Sequence, residues 1–295
     1  MDALEIDSIT AIFDSVHPDG RFVDRHLKTL RRLGSKRKAV LLAFPPKAAG
    51  TFLRSAIINA VDGQLVRTVH AQGGRDATPY LPTFVTYFSG GVTDKTLVTH
   101  VHMLALPANV HFLAAFGIRP IVMKRSIPDM LASYWDMLDK DDSALLDGLN
   151  CHIPENFRRL SRNAKADFLM DVLGPWYVNF YAGWLSHAAA NKDNVCVLDF
   201  HALRTSPVES LKRCLECAGI KVTRTRCEIA VQETWNGRHA LRFNKGEEGR
   251  GEDYFSAAQL NRLARMLSHY PILAAHRHEL LGTHRSQSNA RRPSQ

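Results

Sequence analysis

The segment from residue 39 to residue 58 constrains the fold of this chain more than any other stretch. Residues 39–43 (AVLLA) form an apolar run that predicts a buried strand, and residues 52–58 (FLRSAII) predict a helix. The first turn of a helix carries unpaired backbone N–H groups and a partial positive charge, so it attracts anions. In the short loop between strand and helix, Lys47 adds a full charge and Thr51 a hydroxyl donor. The segment therefore predicts a phosphate-binding loop at the end of a strand.

This loop does not match the Walker A sequence, G-x-x-x-x-G-K-[ST], in which serine or threonine directly follows the lysine. Lys47 instead precedes Thr51 by four residues. Taken alone, the loop is equally consistent with an anion site and with an ordinary connection between a strand and a helix.

A second strand–loop–helix unit is predicted from the apolar run at residues 121–123 and the apolar stripe at helical spacing over residues 130–138. Asp129 suits the first turn of that helix, where a carboxylate meets the positive end of the dipole. Arg125 lies in the loop, and Ser133 shares the helix face of Asp129. An arginine suits a phosphate monoester because it donates two parallel hydrogen bonds. The alternative is a basic surface turn before an amphipathic helix.

A third segment, residues 243–249 (FNKGEEG), contains Lys245 and Gly246. By itself it is more typical of a solvated glycine-rich loop than of a binding element.

Together and in this order, the three segments resemble the donor-binding motifs of sulfotransferases that use 3′-phosphoadenosine 5′-phosphosulfate (PAPS). Those motifs are written roughly P-K-[ST]-G-[TG]-T, R-[ND]-P-x-D-x-x-x-S-[YW] and F-R-K-G-x-x-G…F, and the final phenylalanine corresponds to Phe255. Residues 99–107 (THVHMLALP) resemble the family's histidine segment, T-H-L-P-x-x-L-L-P, and residues 195–203 (VCVLDFHAL) resemble a strand that ends in Y-E-D-L. The likeness extends from about residue 38 to about residue 256.

The resemblance implies a sulfotransferase with PAPS as donor and adenosine 3′,5′-bisphosphate (PAP) as product. Lys47 would act on the leaving bridging oxygen and the sulfonate, and Arg125 with Ser133 would bind the 3′-phosphate. Phe52 matches an adenine-stacking tryptophan, and Phe200 matches an adenine-contacting tyrosine. The donor-binding positions implied in this way are Lys47, Ala48, Ala49, Gly50, Thr51, Phe52, Arg125, Ser133, Phe200, Lys245 and Gly246.

The resemblance assigns the general base to His100, because an imidazole titrates near neutrality and can remove a hydroxyl proton as attack proceeds. His102 points to the same face of the predicted strand and is a rival for that role. A carboxylate base and no base at all are the remaining alternatives. The family's lysine two places before the histidine is Val98 here.

Two departures from the family pattern bear on activity. Ala49 replaces the usual glycine and would be strained if its position requires a positive φ angle. Asn244 replaces an arginine of the third motif, which removes one charged contact. Two alternatives to an active sulfotransferase stay open: a catalytically impaired nucleotide-binding protein of the same fold, and a P-loop phosphotransferase.

Strands alternating with helices predict an α/β fold, a single domain with a central, mostly parallel sheet flanked by helices. Strands are predicted at residues 39–44, 96–102, 120–123 and 195–200, and helices from about residue 107 and at 128–138, 166–190 and 207–218. Both phosphate elements and His100 fall at the carboxyl ends of strands, where ligands of such sheets bind. The expected organisation is an N-terminal helical extension (1–36), a sulfotransferase domain (37–283) and a disordered basic tail (284–295).

Loops at residues 63–95 and 139–165 are expected to shape the acceptor pocket, which would take a small-molecule, glycan or lipid acceptor. The net charge of +9 fits a highly anionic donor, and the sequence has no helix-turn-helix, zinc-finger or RNA-recognition pattern that would indicate nucleic acid. The oligomeric state is left open.

No apolar run approaches the roughly 18 to 20 residues that span a bilayer, so no transmembrane segment is expected. The N-terminus lacks the basic region and apolar core of a secretory signal, which favours a cytoplasmic location. The five cysteines form an odd, unpatterned set. Cys214 and Cys217 fall in an amphipathic helix and are predicted as core or half-buried residues, and no metal is expected because no second pair completes a zinc site.

Overall fold

The computed structural model describes residues 38–66, 81–88, 94–140, 151–190, 193–238 and 246–282. The expected N-terminal extension, the basic tail, Asn244 and Lys245 lie outside these residues.

Five strands form one parallel sheet in the order β2-β3-β1-β4-β5. The strands are β1 (Ala39–Ala43), β2 (Gln64–Leu65), β3 (Leu97–Val101), β4 (Ile121–Lys124) and β5 (Cys196–Asp199). The chain leaves β1 toward the β3 side and leaves β4 toward β5, so the direction of winding reverses between β1 and β4. Ligands of parallel sheets bind outside the carboxyl ends of the strands at such a reversal. The loops after β1 and β4 are the two that meet there.

Helices flank the sheet, and those that bear on the site are α1, α4, α6 and α9. The helices are α1 (Gly50–Val61), α2 (Leu81–Phe88), α3 (Pro107–Ala115), α4 (Ile127–Lys140), α5 (Arg162–Phe168), α6 (Gly174–Ala190), α7 (Phe200–Thr205), α8 (Pro207–Cys217), α9 (Arg224–Asn236), α10 (Gly251–Tyr254), α11 (Ala257–Ser268), α12 (Pro271–Ala274) and α13 (Arg277–Leu281). A 3₁₀ turn covers Phe157–Arg159, and a π-helical segment covers Leu169–Leu173.

The predicted α/β architecture is confirmed, and the four predicted strands lie within two residues of their observed bounds. The helix predicted at 166–190 begins earlier, at Arg162, and the break expected near Gly174 is the π-helical segment just before it. The region predicted as acceptor loops between 63 and 95 contains β2 and α2. β2 has only two residues, which is too short to produce the alternating pattern that predicts a strand.

The core is built around β1, which lies in the middle of the sheet. Residues 40–43 are fully buried, which explains the uninterrupted apolar run, because a central parallel strand is covered on both faces. Helix α4 is buried from Ile127 to Trp135, including the polar side chains of Asp129 and Ser133. Buried polar side chains need hydrogen-bond partners. The partners of the polar side chains of α4 belong to the site described below.

The cysteines differ in part from expectation. Cys214 is buried, as predicted, but the half-buried Cys217 forms a disulfide with Cys196 at the start of β5. Nothing in the spacing of the cysteines indicated this pair, because Cys196 comes from a strand 21 residues earlier and only the fold brings it beside α8.

No helix in the described part of the chain is long and apolar enough to cross a bilayer. The cytoplasmic location stays a prediction.

Candidate active site

The loop after β1 turns sharply into α1. Lys47 and Ala49 both have left-handed backbone conformations, with φ angles of 65° and 62°, which cost about 1 kcal/mol or more for a residue with a side chain. The position of Ala49 therefore does require a positive φ angle. Ala49 is also the N-cap of α1 and makes no side-chain capping bond. The first-turn N–H groups at Gly50 and Thr51 thus meet no capping side chain, which suits an anion.

Two distant side chains fix the carbonyl groups of this loop. The Tyr177 hydroxyl on α6 donates to the Pro46 carbonyl at 3.1 Å. Arg125 donates from Nη1 to the Lys47 carbonyl at 2.6 Å. In a trans peptide the N–H points opposite to the carbonyl, so the N–H groups of Lys47 and Ala48 are turned away from these partners. The Ala48 side chain is buried, so its contribution to a ligand can come only from its backbone.

The Lys47 ammonium reaches α4, where Nζ lies 3.7 Å from the Met137 sulfur. This contact places the charge between the loop and α4. It is a weak contact, so the ammonium can be redirected toward a stronger anionic partner.

His100 lies on β3, opposite Leu42 of β1, and its ring packs against Gly50. A Cβ built on Gly50 would come within 2.2 Å of His100 Cε1 and 2.3 Å of Nε2. Only glycine fits at position 50, because the His100 ring occupies the space that any other side chain would need. The packing brings a buried imidazole to the first residue of α1.

His102 follows β3 and is joined to the same cluster. Its Nδ1 lies 2.6 Å from the Phe44 carbonyl, and because a carbonyl oxygen only accepts, Nδ1 is the donor. The rings of His102 and His100 meet edge to face, with centroids 4.9 Å apart. Both histidines predicted as base candidates thus lie beside the loop. No set of three or more metal-ligating side chains is found among the described residues.

Arg125 connects the loop after β1 to the third segment. Its Nη2 donates to the Glu247 carbonyl at 3.1 Å, in addition to the Nη1 bond already described. Its guanidinium stacks on the Phe200 ring, 3.9 Å from the centroid, so Phe200 supports the arginine. Burial lowers the pKa of Arg125, and Asp129 opposes that effect. Its Nε is buried without a hydrogen-bond partner among the described residues, which marks an incompletely satisfied cation at the site.

The buried carboxylate of Asp129 holds the third segment against α4. Its two oxygens accept hydrogen bonds from the backbone N–H groups of Gly249 and Gly251, each at 2.9 Å. Gly251 approaches α4 so closely that an added Cβ would lie 2.2 Å from the Pro128 Cβ. Gly246, just before, has a φ angle of 66°. Residues 246–251 are therefore docked on the first turn of α4, the helix that follows Arg125.

A second buried contact strengthens this docking. Arg250 donates to Asp136 of α4 at 2.6 Å and to the Tyr254 hydroxyl at 3.0 Å, and Tyr254 also hydrogen-bonds Asp136. Arg250 and Asp136 are both largely buried, so this pair is shielded from solvent. Ser133 lies one turn before Met137 on the same helix and is 4% exposed.

Phe52 lies on the side of α1 that faces α9, away from the side on which Gly50 contacts His100. Its ring meets that of Trp235 edge to face at 6.2 Å, and Arg238 lies over the Trp235 ring at 4.9 Å. Trp235 is 44% exposed, which is unusual for so large an apolar side chain. The sequence does not predict this role for Trp235, because only the fold brings it beside Phe52.

The aromatic stripe of α6 was also missed. Tyr177, Tyr181 and Trp184 are fully buried at helical spacing, and each has a polar group aimed at a loop. Tyr181 accepts from the Arg125 N–H at 2.9 Å, and Trp184 donates to the Met103 carbonyl at 2.9 Å. Tyr177 donates to the Pro46 carbonyl, as described above, so helix α6 contacts the loops after β1, β3 and β4. Burial raises the pKa of the Tyr181 hydroxyl, which keeps it neutral in this role.

At this edge of the parallel sheet, the uncapped N–H groups of α1 and the Arg125 guanidinium lie near a histidine. A family model of the sulfotransferase domain matches residues 46–265. The chain belongs to the sulfotransferase domain family. No curated protein sequence matches the chain.

Several solved structures match the chain at low sequence identity. Mouse sulfotransferase SULT7A1, complexed with PAP, is 16% identical over 83% of this chain and 88% of that chain, with a TM-score of 0.58. A sulfotransferase from Alicyclobacillus acidocaldarius is 13% identical over 86% of this chain and 99% of its own, with a TM-score of 0.46. Retinol dehydratase in complex with androsterone and inactive cofactor PAP is 14% identical over 84% of both chains, with a TM-score of 0.45.

Proposed function

We propose that this protein transfers a sulfuryl group from PAPS to a hydroxyl or amine of an acceptor. The observation that carries the proposal is the packing of His100 on Gly50. It puts a candidate base beside the first turn of α1, where the loop after β1 presents its N–H groups. A nucleophile deprotonated at His100 would therefore meet an electrophile whose anionic groups are bound by that loop.

The residues present fit the donor. The uncapped first turn of α1 suits the 5′-phosphosulfate, and the buried, incompletely satisfied Nε of Arg125 suits a further phosphate. The Phe52–Trp235 pair offers aromatic surface for a purine. Gly246 and the docked third segment lie at the Arg125 end of the site. These features support PAPS as donor and PAP as product.

In the proposed reaction the acceptor oxygen or nitrogen attacks sulfur and forms the new bond to it. The bond between sulfur and the bridging phosphate oxygen breaks, and PAP leaves with that electron pair. His100 takes the acceptor proton as attack proceeds. Lys47 moves from Met137 to the bridging oxygen and stabilises the charge that develops there. As in phosphoryl transfer, positioning and charge stabilisation supply most of the acceleration.

The donor assignment is tested by calorimetric titration with PAP, adenosine 5′-monophosphate and ATP. We expect PAP to bind at least about tenfold more tightly than the monophosphate, because only PAP offers a 3′-phosphate to Arg125. Arg125→Lys keeps the charge but loses the planar fork, and should remove most of that preference. Arg213→Lys, at an exposed site on α8, is the matched control. Equal or better binding of ATP, or no binding of PAP, would overturn the proposal.

One observation favours a second candidate, a nucleotide-binding protein with impaired catalysis. The left-handed conformation of Ala49 strains the loop that would bind the 5′-phosphosulfate. Tight PAP binding without sulfuryl transfer, from PAPS to a broad panel of phenols, alcohols, amines and glycans, would favour this candidate.

A further inference from the structure

Arg54 is a cation of α1 that the site described above does not use. It lies one turn after Gly50 and is half-buried. Among the described residues its buried Nε has no hydrogen-bond partner, and no carboxylate there forms an ion pair with it. Two other arginines, in contrast, form ion pairs. Arg250 pairs with Asp136, and Arg262 pairs with Asp167.

Helical geometry directs Arg54 toward the reacting end of α1. Residues four apart share one face of a helix, and long side chains lean toward the helix N-terminus. The Arg54 side chain therefore extends back along the face that begins at Gly50. That glycine is the residue on which His100 packs. The guanidinium and the candidate base thus flank the same end of α1.

The same geometry separates Arg54 from the aromatic pair that suits the purine. Residues two apart lie about 160° apart around a helix of 3.6 residues per turn. Phe52 faces Trp235 of α9, and Asn59, on the same side as Phe52, bonds Thr234 of α9. Arg54 therefore lies on the side of α1 away from α9. That is the side on which an acceptor, rather than the adenosine, would approach His100.

A half-buried cation without an anionic partner is costly, because desolvation is not offset by Coulomb attraction. Burial lowers the pKa of Arg54, and no acidic group of the described residues opposes the effect. At Arg125, in contrast, the charge of Asp129 raises the pKa and so opposes the effect of burial. A guanidinium that no described carboxylate neutralises is preorganised for an anionic ligand.

We propose that Arg54 binds an anionic group of the acceptor, so that the acceptors of this protein are acidic molecules carrying a carboxylate or a sulfonate-type oxyanion. This inference rests on the proposed sulfotransferase function and specifies its acceptor class. The donor is itself strongly anionic and would repel an acidic acceptor. Arg54 supplies a compensating positive charge on the acceptor side. Val98 of β3 supplies none, although the corresponding position of the family's histidine segment is a lysine.

The test uses the PAP-saturated protein and three phenols that differ in their para substituent, which is a carboxylate, a sulfonate or a neutral ester. The probes are 4-hydroxybenzoate, 4-hydroxybenzenesulfonate and the neutral methyl 4-hydroxybenzoate, titrated by calorimetry. We expect at least one acid to bind about tenfold or more tightly than the ester. Arg54→Gln should abolish that preference, and Arg54→Lys should keep part of it. Arg213→Gln, which removes the same charge at an exposed site, should leave it intact.

These titrations separate the possible outcomes. A preference for only one of the acids identifies the oxyanion as carboxylate or sulfonate. Equal binding of acids and ester by the wild-type protein, or a preference unchanged in Arg54→Gln, overturns the inference. Loss of PAP affinity in Arg54→Gln also overturns it, because Arg54 then belongs to the donor site. Failure of the wild-type protein to bind PAP contradicts the proposed function itself and is seen before any phenol is added.

Discussion

The ring of His100 occupies the space that a side chain on Gly50 would need, since a Cβ added to this glycine would come within 2.2 Å of the His100 Cε1. The first residue of α1 and the strand that carries the candidate base are therefore packed in direct contact. The glycine serves this contact, and its neighbour Ala49, like Lys47, adopts the strained left-handed conformation.

Gly50→Ala should move His100 and lower kcat by about 100-fold, because a displacement of about 1 Å is enough for such a loss. PAP affinity should change less, since the loop carbonyls stay held by Tyr177 and Arg125. Steady-state kinetics and calorimetry measure the two effects. Gly174→Ala is the control, because its Cβ would have no neighbour closer than 3.9 Å. An unchanged kcat in Gly50→Ala would show that the contact has no catalytic value.

His100→Asn should lower kcat by about 100-fold or more while PAP binding is retained, as expected for loss of a general base. His102→Asn should have a much smaller effect. An asparagine amide can replace the Nδ1 donor that His102 directs at the Phe44 carbonyl. Single-turnover rates of both variants, measured with saturating PAPS, decide between the histidines. The reverse order of effects would assign the base to His102.

Ala49→Gly should stabilise the fold by about 1 kcal/mol, because glycine adopts a positive φ angle without a steric penalty. It should also tighten PAP binding, since the loop would no longer be strained. Ala48→Gly is the matched control. Ala48 is buried and has no positive φ angle, so its substitution should destabilise. Urea unfolding measures both, and equal effects of the two changes would refute the strain at Ala49.

Asp129→Asn should release the third segment from α4. An amide keeps one acceptor but turns N–H groups toward a backbone N–H, so about 2 kcal/mol of stability should be lost. PAP affinity should fall at least about tenfold, because the segment that positions Arg125 through Glu247 becomes misplaced. The exposed Asp253→Asn on α10 is the control. Wild-type affinity in Asp129→Asn would show that this docking does not matter for the donor.

The end of β4 should show a pH-dependent contribution from Glu279. Burial acts to raise the pKa of this carboxyl, but the hydrogen bond and charge of Lys124 outweigh it, and the pKa is lowered overall. A carboxyl with a lowered folded pKa stabilises above its unfolded pKa of about 4.3, and that stability is lost as pH falls through the folded value.

Glu279→Gln should therefore cost about 1 kcal/mol or less near pH 6.5, since the carboxyl is 38% exposed, and nothing near pH 3. Urea unfolding at both pH values measures the difference. The exposed Glu155→Gln should cost nothing at either pH. A cost that is the same at both pH values would exclude the ion pair as its source.

The sequence predicts the parts of the site whose residues are close together in the chain. The run at residues 39–43 is apolar because β1 is covered on both faces, and a lysine among small residues follows it directly. These local signals place Lys47, Gly50 and Arg125 at strand ends without any structure.

Contacts between distant segments could not be predicted in this way. Tyr177 and Trp184 fit an ordinary buried helix face, and nothing in their spacing shows that their polar atoms reach Pro46 and Met103. Asp129 lies in the first turn of α4, as the sequence predicts, but its hydrogen-bond partners are backbone groups 120 and 122 residues away. Such pairs become visible only when the topology is known.

The three anchors on α6 have a consequence for how this fold can diversify. Tyr177, Tyr181 and Trp184 set the spacing of three loops from one rigid helix, so that spacing does not depend on the length or sequence of the segments around them. Insertions and drift in the neighbouring connections can therefore accumulate without moving the groups proposed to bind the donor. A one-turn slip of α6 would displace all three loops at once, so a single change in this helix would be felt at the ends of three strands.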